Sequence, residues 1–356
     1  MDGPTKTIAG FISGQPEAIG DIVRSVAPQL GKIARLPAAG ELQLVGSGTS
    51  FNALLATEQS LSEATGLPVR TLPPIAFLNQ SEASLSRVMA LIVLSHSGSS
   101  ATSVAAARRG LELGIPTIVV TGYAESPLGA LPASRIILPV SDETVGAKTK
   151  GYTASLLSLL MLAEHLRTGS GSDLIGLDAF VPQYRALVEA AGNWAQTFAD
   201  GIADADAIAV LGQGRHLASA HEGALKIAEI VGIPTLPAET EDACHGRFFG
   251  YTSKTRVLLI AGSAAEKQLA SKAAEALAHF GVSAAIADLS GSASTRYDIA
   301  LPWPKAAAAA ELDLLAAAVP FQWLAQRLAV RRGRVPEIMP YPGLGIRLGL
   351  RAGPAA

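Results

Sequence analysis

The sequence predicts an α/β protein built from two similar domains, each a mostly parallel sheet flanked by helices in three α/β/α layers. Short runs of consecutive apolar residues alternate along the chain with longer stretches of helical periodicity. Apolar strands that alternate with helices are typical of parallel sheets covered on both faces. The same succession then occurs a second time, which indicates that one α/β unit has been duplicated.

In the first half, the apolar runs predict strands and the stretches between them predict helices. The predicted strands are 41–45, 88–94, 117–120 and 135–140, and the predicted helices are 51–65 and 101–113. The stretch 152–163 is the most apolar of the chain, and its short length favours a buried helix over a membrane-spanning one.

The second half repeats this arrangement. The predicted strands are 207–211, 256–260, 283–287 and 299–301, and the predicted helices are 216–231 and 266–280. The interval from Gly46 to Gly212, each at the end of a first strand, equals the interval from Leu94 to Ile260. Two matching intervals support the duplication.

Domain boundaries follow from this repeat. A Gly/Ser-rich stretch at 168–173 is predicted to link the two domains. The predicted parts are a helical lead-in over 1–40, a first domain over 41–168, a second domain over 174–332 and an irregular tail over 333–356.

Composition narrows the class of protein. The chain has 356 residues, of which 49% are hydrophobic and 16% charged, enough for the cores of two domains. A net charge of −2 provides no basic field and argues against nucleic-acid binding. The one cysteine, Cys244, excludes an internal disulfide and a cysteine-based metal site, and we expect no metal and no cofactor. With no secretory signal and no spanning apolar stretch, we expect a cytoplasmic protein without a membrane partner.

The segment Ser95-His96-Ser97-Gly98-Ser99-Ser100 lies between a predicted strand and a predicted helix. Hydroxyls, a glycine and the free N–H groups of a helix N-terminus together predict a phosphate site that needs no lysine or arginine. The alternative is that these hydroxyls cap the helix, although one serine suffices for a cap.

A second polar turn, Gly48-Thr49-Ser50, follows the first strand at the same predicted sheet edge, where open α/β sheets bind ligands. Phe51 and Leu217 stand where a dinucleotide fingerprint requires its third glycine, and the P-loop pattern is absent. Both observations disfavour a nicotinamide dehydrogenase or a nucleoside triphosphatase.

The helix 216–231 places Glu222, Lys226 and Glu229 on one face. The ordinary interpretation is a solvated face with a Glu–Lys pair. The functional interpretation makes Glu229 a base that moves a proton beside a carbonyl, with Lys226 tuning it or holding substrate. In the predicted loop 241–246, His245 is either an acid–base group or a surface residue, and Cys244 is predicted to be buried rather than nucleophilic.

Four motifs in this order resemble the sugar isomerase (SIS) domain family over roughly residues 40–330. They are similar to the tandem SIS isomerase half of glucosamine-6-phosphate synthase and to related stand-alone deaminases and deglycases. The motifs are G-S-G-T-S at 46–50, S-H-S-G at 95–98, E-T-V-G-A-K-T-K-G-Y-T at 143–153, and E-G-A-L-K-I-A-E at 222–229 followed by His245-Gly246.

The resemblance implies roles for these residues. It implies that Glu229 is the base between C1 and C2 of an open-chain sugar, that Lys226 lies beside it, and that His245 opens the sugar ring from a partner subunit. A homodimer with a shared active site is therefore implied. The implied phosphate and substrate ligands are Gly48, Thr49, Ser50, Ser95, His96, Ser97, Ser100, Ala147 and Lys148.

Some residues depart from the family pattern. Ser99-Ser100 replaces a common Glu-Thr. In the loop at 143–153, Gly146 replaces a valine and Lys148 replaces a serine. No lysine follows Lys305. The synthase tail carries a lysine that can form an imine, and Arg347 in the comparable stretch cannot replace it as a nucleophile. We expect no glutamine-dependent amination from this chain.

Three functions remain open at this point. The first is a phosphosugar isomerase or an amino-sugar phosphate deaminase of the glucosamine-6-phosphate/fructose-6-phosphate type. The second is a deglycase acting on fructosamine phosphates. The third is a non-catalytic regulator that binds a phosphosugar. The predicted ligand in each case is a phosphorylated sugar or amino sugar.

Overall fold

The computed structural model describes residues 6–34, 36–37, 39–140, 142–169, 176–304 and 310–351, and it confirms the α/β class. Within these residues there are two sheets, one of five strands and one of four, and every strand pair is parallel. Each sheet belongs to its own compact unit. The sheet-1 unit comprises Glu17–Thr144, Lys150–Leu174 and Tyr341–Ala356, and the sheet-2 unit comprises Met1–Pro16, Val145–Thr149 and Ile175–Pro340.

The helices and strands are numbered in chain order. They are α1 Ile8–Ser13, α2 Gln15–Leu30, β1 Glu41–Val45, α3 Thr49–Thr65, β2 Val69–Leu72, α4 Pro74–Leu78, α5 Glu82–Leu85, β3 Val88–Leu94, α6 Ala101–Glu112, β4 Thr117–Thr121, β5 Ser134–Ile137, α7 Lys150–Thr168, α8 Leu177–Gly201, β6 Ala207–Gly212, α9 His216–Val231, β7 Thr235–Glu239, α10 Thr240–Cys244, β8 Thr255–Ala261, α11 Ala264–His279, β9 Ser283–Asp288, α12 Asp313–Arg331 and α13 Leu344–Arg347.

The five strands of sheet 1 follow the order β2-β1-β3-β4-β5. On one face, Leu91 and Val93 of β3 pack in a buried cluster with Phe77 of α4 and Val104 of α6. Because side chains alternate along a strand, the buried Ile92 faces the other side of the sheet. A sheet buried on both faces agrees with the predicted three layers.

Helix α7 confirms the buried helix predicted at 152–163. Every residue from 151 to 163 is buried, and the helix packs mainly against α3 of the same unit. The strand order changes direction between β1 and β3, so the carboxyl ends of these two neighbouring strands form the topological switch point of sheet 1.

The four strands of sheet 2 follow the order β7-β6-β8-β9. Its core joins β6, β8 and β9 to α11, with Leu211, Leu259 and Leu277 among the buried residues. The predicted strand at 299–301 is wrong, because only an isolated bridge between Ile286 and Asp298 forms there. Pro302 follows at once, and a residue without an N–H donor cannot extend a ladder.

The compact units do not follow the chain continuously. The lead-in forms two helices, α1 and α2, and its first part joins the sheet-2 unit through a buried hydrogen-bonded chain. Tyr184 donates its hydroxyl to Gln15 Oε1 at 2.5 Å, and Gln15 Nε2 donates to Gln322 Oε1 at 2.6 Å. Most of the predicted link at 168–173 lies outside the described residues. The boundaries at 168 and 174 stay predictions.

Candidate active site

The predicted phosphate loop, residues 95–100, connects β3 to α6 at the switch point of sheet 1. Gly98 has φ of 63°, a conformation that favours glycine. A Cβ atom at this position would overlap Ser126 and would lie 2.7 Å from Thr121 Oγ1. Gly98 therefore lets the loop turn tightly against the two hydroxyl-bearing neighbours.

The four hydroxyls of the loop have different surroundings. Ser100 caps α6, since its Oγ accepts hydrogen bonds from the Ser103 N–H at 3.5 Å and the Ser103 hydroxyl at 3.0 Å. Ser97 is exposed and its Oγ accepts from the Ser99 N–H and hydroxyl at 3.3 and 3.0 Å. Ser95 is buried. The capping interpretation thus applies to Ser100, while Ser97 presents its hydroxyl at the surface and Ser99 is half-buried beside it.

The second predicted turn follows β1, the strand next to β3. Gly48 has φ of 57° and precedes α3, which begins at Thr49. Ser50 is buried and Thr49 is half-buried. Val45 of β1 pairs with Val93 of β3, so both predicted polar turns emerge from adjacent strand ends at one sheet edge. The structure therefore brings these two predicted segments together.

His96 is buried beneath the loop. Its carbonyl oxygen accepts from the Gly122 N–H at 2.9 Å, and its ring meets Tyr123 edge-on with centroids 6.3 Å apart. A Cβ atom on Gly151 of α7 would lie 2.6 Å from His96 Nδ1 and 2.8 Å from Glu143 Oε2. The imidazole therefore packs closely against Gly151, and this packing supports the loop.

Glu143 is a residue that the predicted site set omitted. Its fully buried carboxylate accepts from the Lys150 N–H at 3.1 Å and the Gly151 N–H at 2.7 Å. These bonds satisfy N–H groups at the start of α7, where a negative charge also suits the helix dipole. The signal for this role was present in the sequence, because Glu143 opens the third family-like motif.

Ala147 and Lys148 lie in the segment 145–149, which packs with the sheet-2 unit. Ala147 is buried, and Lys148 Nζ donates to the Val145 carbonyl at 2.6 Å. The Gly146 backbone lies against Met339, where a Cβ atom would be 2.6 Å from Met339 Cγ. The other predicted binding residues, at 48–50 and 95–100, belong to the sheet-1 unit.

The acid–base helix of the prediction is α9. Glu222 and Lys226 are fully buried, with Lys226 Nζ 3.5 Å from Glu222 Oε1, and Lys226 also donates a hydrogen bond to Glu229 Oε2. The Glu229 side chain is 25% exposed. The solvated-face interpretation is therefore wrong for Glu222 and Lys226. Buried charges are found paired, and here one ammonium lies between two carboxylates, of which only Glu229 reaches solvent.

His221 also lies on α9. Burial lowers the pKa of this imidazole below its ordinary value of 6.5. The ring is consequently neutral near physiological pH.

Residues 240–244 form the short helix α10, where a loop had been predicted. His245 follows it with a side chain that is 71% exposed, and its Nε2 lies 2.5 Å from Glu241 Oε1. Cys244 is exposed, so its predicted burial is wrong. Partial desolvation and the carboxylates of Glu241 and Glu239 raise the pKa of the Cys244 thiol, which keeps it protonated and a poor nucleophile.

In sheet 2, the turn that corresponds to the loop 95–100 follows β8, and the Glu266 carboxylate accepts a hydrogen bond from its backbone. The Gly262 N–H donates to Glu266 Oε2 at 2.8 Å, and Ser263 Oγ accepts from the Glu266 N–H at 3.3 Å. This reciprocal arrangement resembles a capping box. Glu266 occupies the repeat position of Ser100, and its negative charge at the start of α11 opposes phosphate binding there.

The described residues contain neither a cluster of metal ligands nor a membrane-spanning helix. No group of three or more His, Cys, Asp or Glu side chains in this part of the chain is arranged to hold a metal ion. Among the described helices, none combines the length and the apolar character needed to cross a membrane.

The first half of the chain matches the model of a known protein family. Residues 36–165 match the family model for the SIS domain. Glutamine–fructose-6-phosphate aminotransferase [isomerizing] from Pyrococcus horikoshii is 27% identical over 329 residues, which cover 91% of this chain and 54% of that protein. The chain spans about half the length of the curated relatives it matches. An SIS domain and homology to the isomerase half of these enzymes, as the motifs predicted, are thereby confirmed.

Two solved structures share the fold. Glucosamine-6-phosphate deaminase from Thermotoga maritima superposes with a TM-score of 0.76 at 18% identity, covering 94% of this chain and 98% of the deaminase. Tagatose-6-phosphate ketose/aldose isomerase from Escherichia coli gives a TM-score of 0.76 at 18% identity, covering 97% of this chain and 99% of the isomerase. These likenesses extend over nearly the whole chain and concern its fold alone.

Proposed function

We propose that this chain is a phosphosugar-converting enzyme that moves a proton between C1 and C2 of an open-chain sugar phosphate. Its product is then the isomeric sugar phosphate, or the deaminated sugar when C2 carries an amine. The single observation that carries this proposal is the arrangement on α9, where the buried Lys226 pairs with both the buried Glu222 and the solvent-accessible Glu229.

The proposed base is Glu229. A carboxylate near a sugar carbonyl can take the proton from the adjacent carbon and return it to the carbon that was the carbonyl. Lys226 is held in place by Glu222, so the ammonium that pairs with Glu229 is fixed before substrate arrives. With an amine on C2, the same transfer produces an imine at C2, and hydrolysis of that imine consumes water and releases ammonia.

The proposed phosphate site is the loop 95–100 with the turn 48–50. The exposed hydroxyl of Ser97, the half-buried Ser99 that bonds to it and the N-terminus of the twelve-residue helix α6 support this proposal. Names of relatives point the same way, since the proteins of similar sequence or fold include a fructose-6-phosphate aminotransferase, a glucosamine-6-phosphate deaminase and a tagatose-6-phosphate isomerase.

We propose that His245 assists ring opening in the active site of a second copy of the chain. Its 71% exposure is suited to a residue that acts outside its own subunit. Phe249, four residues later, is 94% exposed, and an aromatic side chain so exposed is typical of an interface. A homodimer and a cytoplasmic location, where charged sugar phosphates are retained, belong to the same proposal.

A deglycase for fructosamine phosphates is the second candidate. The absence of lysine after Lys305 favours it over a synthase-like reaction, because no amine is available in that part of the sequence to capture the open sugar as an imine. The same base could serve, since a fructosamine phosphate also carries an exchangeable proton beside a carbonyl.

Proton NMR in deuterated water distinguishes these functions. The purified protein is incubated with fructose 6-phosphate and separately with glucosamine 6-phosphate. Deuterium at C1 or C2 without ammonia release identifies an isomerase, and ammonia released from glucosamine 6-phosphate identifies a deaminase. Binding of both sugars without exchange or ammonia release would contradict the proposal. Fructosamine phosphates are then tested as substrates. If these also stay unchanged, the remaining function is that of a non-catalytic regulator that binds a phosphosugar.

A further inference from the structure

The segment 344–351, which we call the tail segment, lies against the start of α6. The Ala101 N–H donates to the Leu350 carbonyl at 3.0 Å, and Ser100 and Arg351 form an isolated antiparallel bridge. The tail segment also folds on itself, because the Leu350 N–H donates to the Gly345 carbonyl at 2.9 Å. Both partners of these contacts belong to the sheet-1 unit.

The tail segment engages one of the donors expected of the phosphate loop, and a second residue of the loop serves as the helix cap. The Ser100 hydroxyl accepts from Ser103 as the helix cap, and the Ala101 N–H is bonded to Leu350. Residues 95–103 include no lysine or arginine, so the loop itself provides no positive side chain for a dianionic phosphate. The tail segment, in contrast, carries Arg347 and Arg351.

Arg351 is placed beside the loop by its own backbone. Residues opposite each other in an antiparallel pair have Cα atoms about 4.5 to 5.5 Å apart. Arg351 is exposed, and within the described parts of the chain its guanidinium forms no ion pair. A long cationic side chain is thus anchored next to Ser100 without a competing carboxylate.

We propose that Arg351 binds the phosphate of the sugar, and that the pairing of the tail segment with Ser100 positions it for this contact. The guanidinium fork matches the oxygen atoms of a phosphate and can donate two parallel hydrogen bonds, which an ammonium cannot do. This inference rests on the proposed function of the loop 95–100. It gives the tail segment a specific task, which is to discriminate phosphorylated from unphosphorylated sugars.

Calorimetric titration with fructose 6-phosphate and with inorganic phosphate tests this inference. Arg351→Gln removes the charge and keeps the backbone pairing, and we expect it to weaken fructose 6-phosphate binding by about tenfold or more. Arg351→Lys should recover only part of this loss. Arg347→Gln is the matched control, because it removes the same charge from α13, and we expect it to bind within about twofold of the unaltered chain.

The outcomes separate this inference from the proposed function. If the unaltered chain bound neither ligand, both would be overturned. If it bound fructose 6-phosphate and Arg351→Gln bound it equally well, only the role of Arg351 would be overturned. Equal losses in Arg351→Gln and Arg347→Gln would also overturn it. A chain that ends at Gly349 should lose affinity, and tighter binding would instead identify the Leu350 carbonyl as a competitor of phosphate.

Discussion

Lys226 Nζ lies 3.5 Å from Glu222 Oε1 on α9, and both side chains are fully buried. Lys226 also bonds to Glu229, whose carboxylate reaches solvent. Removing an ion from water is costly, and a buried pair rarely exists for stability alone. We therefore interpret Glu222 as the residue that holds Lys226 in position for Glu229.

The first prediction concerns this buried pair. Lys226→Met leaves the Glu222 carboxylate buried without its ammonium, and we expect the free energy of unfolding to fall by about 3 to 5 kcal/mol. Denaturant unfolding measures the loss. Lys272→Met, an exposed position on α11, is the control and should change stability by less than about 0.5 kcal/mol. The double variant Glu222→Gln/Lys226→Met should recover part of the loss, and no recovery would contradict the pairing.

The second prediction concerns Gly98, whose φ of 63° and contact with Ser126 leave no room for a side chain. Gly98→Ala should lower the free energy of unfolding by about 3 kcal/mol, from backbone strain and overpacking together. Gly114→Ala isolates the backbone contribution, because Gly114 has φ of 71° and nothing within 4 Å of an added Cβ. Equal effects of the two substitutions in thermal or denaturant unfolding would contradict the tight packing of the loop.

The third prediction concerns the Cys244 thiol, whose pKa is raised by partial desolvation and by the Glu241 and Glu239 carboxylates. Alkylation by iodoacetamide should be slow at neutral pH and should rise only above the ordinary thiol pKa. Because the sequence has one cysteine, the label reports on this position alone. Glu241→Gln should lower the thiol pKa and speed the reaction at pH 8. Rapid alkylation of the unaltered chain at pH 7 would show that the thiol is activated.

The fourth prediction concerns His221, whose pKa is lowered by burial. Below pH 6.5 the unfolded chain binds a proton at this position that the folded chain excludes. Stability is therefore lost as the pH falls from the ordinary value of 6.5 toward the lower folded pKa. Denaturant unfolding of His221→Gln should show a smaller pH dependence over this interval than the unaltered chain. An unchanged slope would mean that other groups control it.

The sequence was most informative about buried strands. Predicted strands 41–45 and 88–94 have the observed bounds. Every residue of 88–94 is apolar, and such a run has few other ways to be buried. The strands β2 and β7 were missed. Both are edge strands with exposed positions, and β7 contains Pro237, which an edge tolerates but which weakens a strand signal.

The sequence was less informative about burial of single polar side chains. Spacing along α9 predicted that Glu222, Lys226 and Glu229 share a face, but it could not predict that the face is turned inward. That depends on α12, which packs against α9 from far along the chain. The prediction that Cys244 is buried was wrong in the opposite direction. Cysteine is usually buried, but α10 leaves Cys244 exposed.

The most direct test of the central claim is solvent deuterium exchange at C1 and C2 of fructose 6-phosphate, measured by NMR for the unaltered chain and for Glu229→Gln. Glu189→Gln, an exposed position on α8, serves as the matched control. If Glu229 is the base, Glu229→Gln should reduce the exchange rate by at least about a hundredfold while calorimetry shows binding within about twofold. Exchange at the unaltered rate in Glu229→Gln would contradict the assignment of Glu229 as the base.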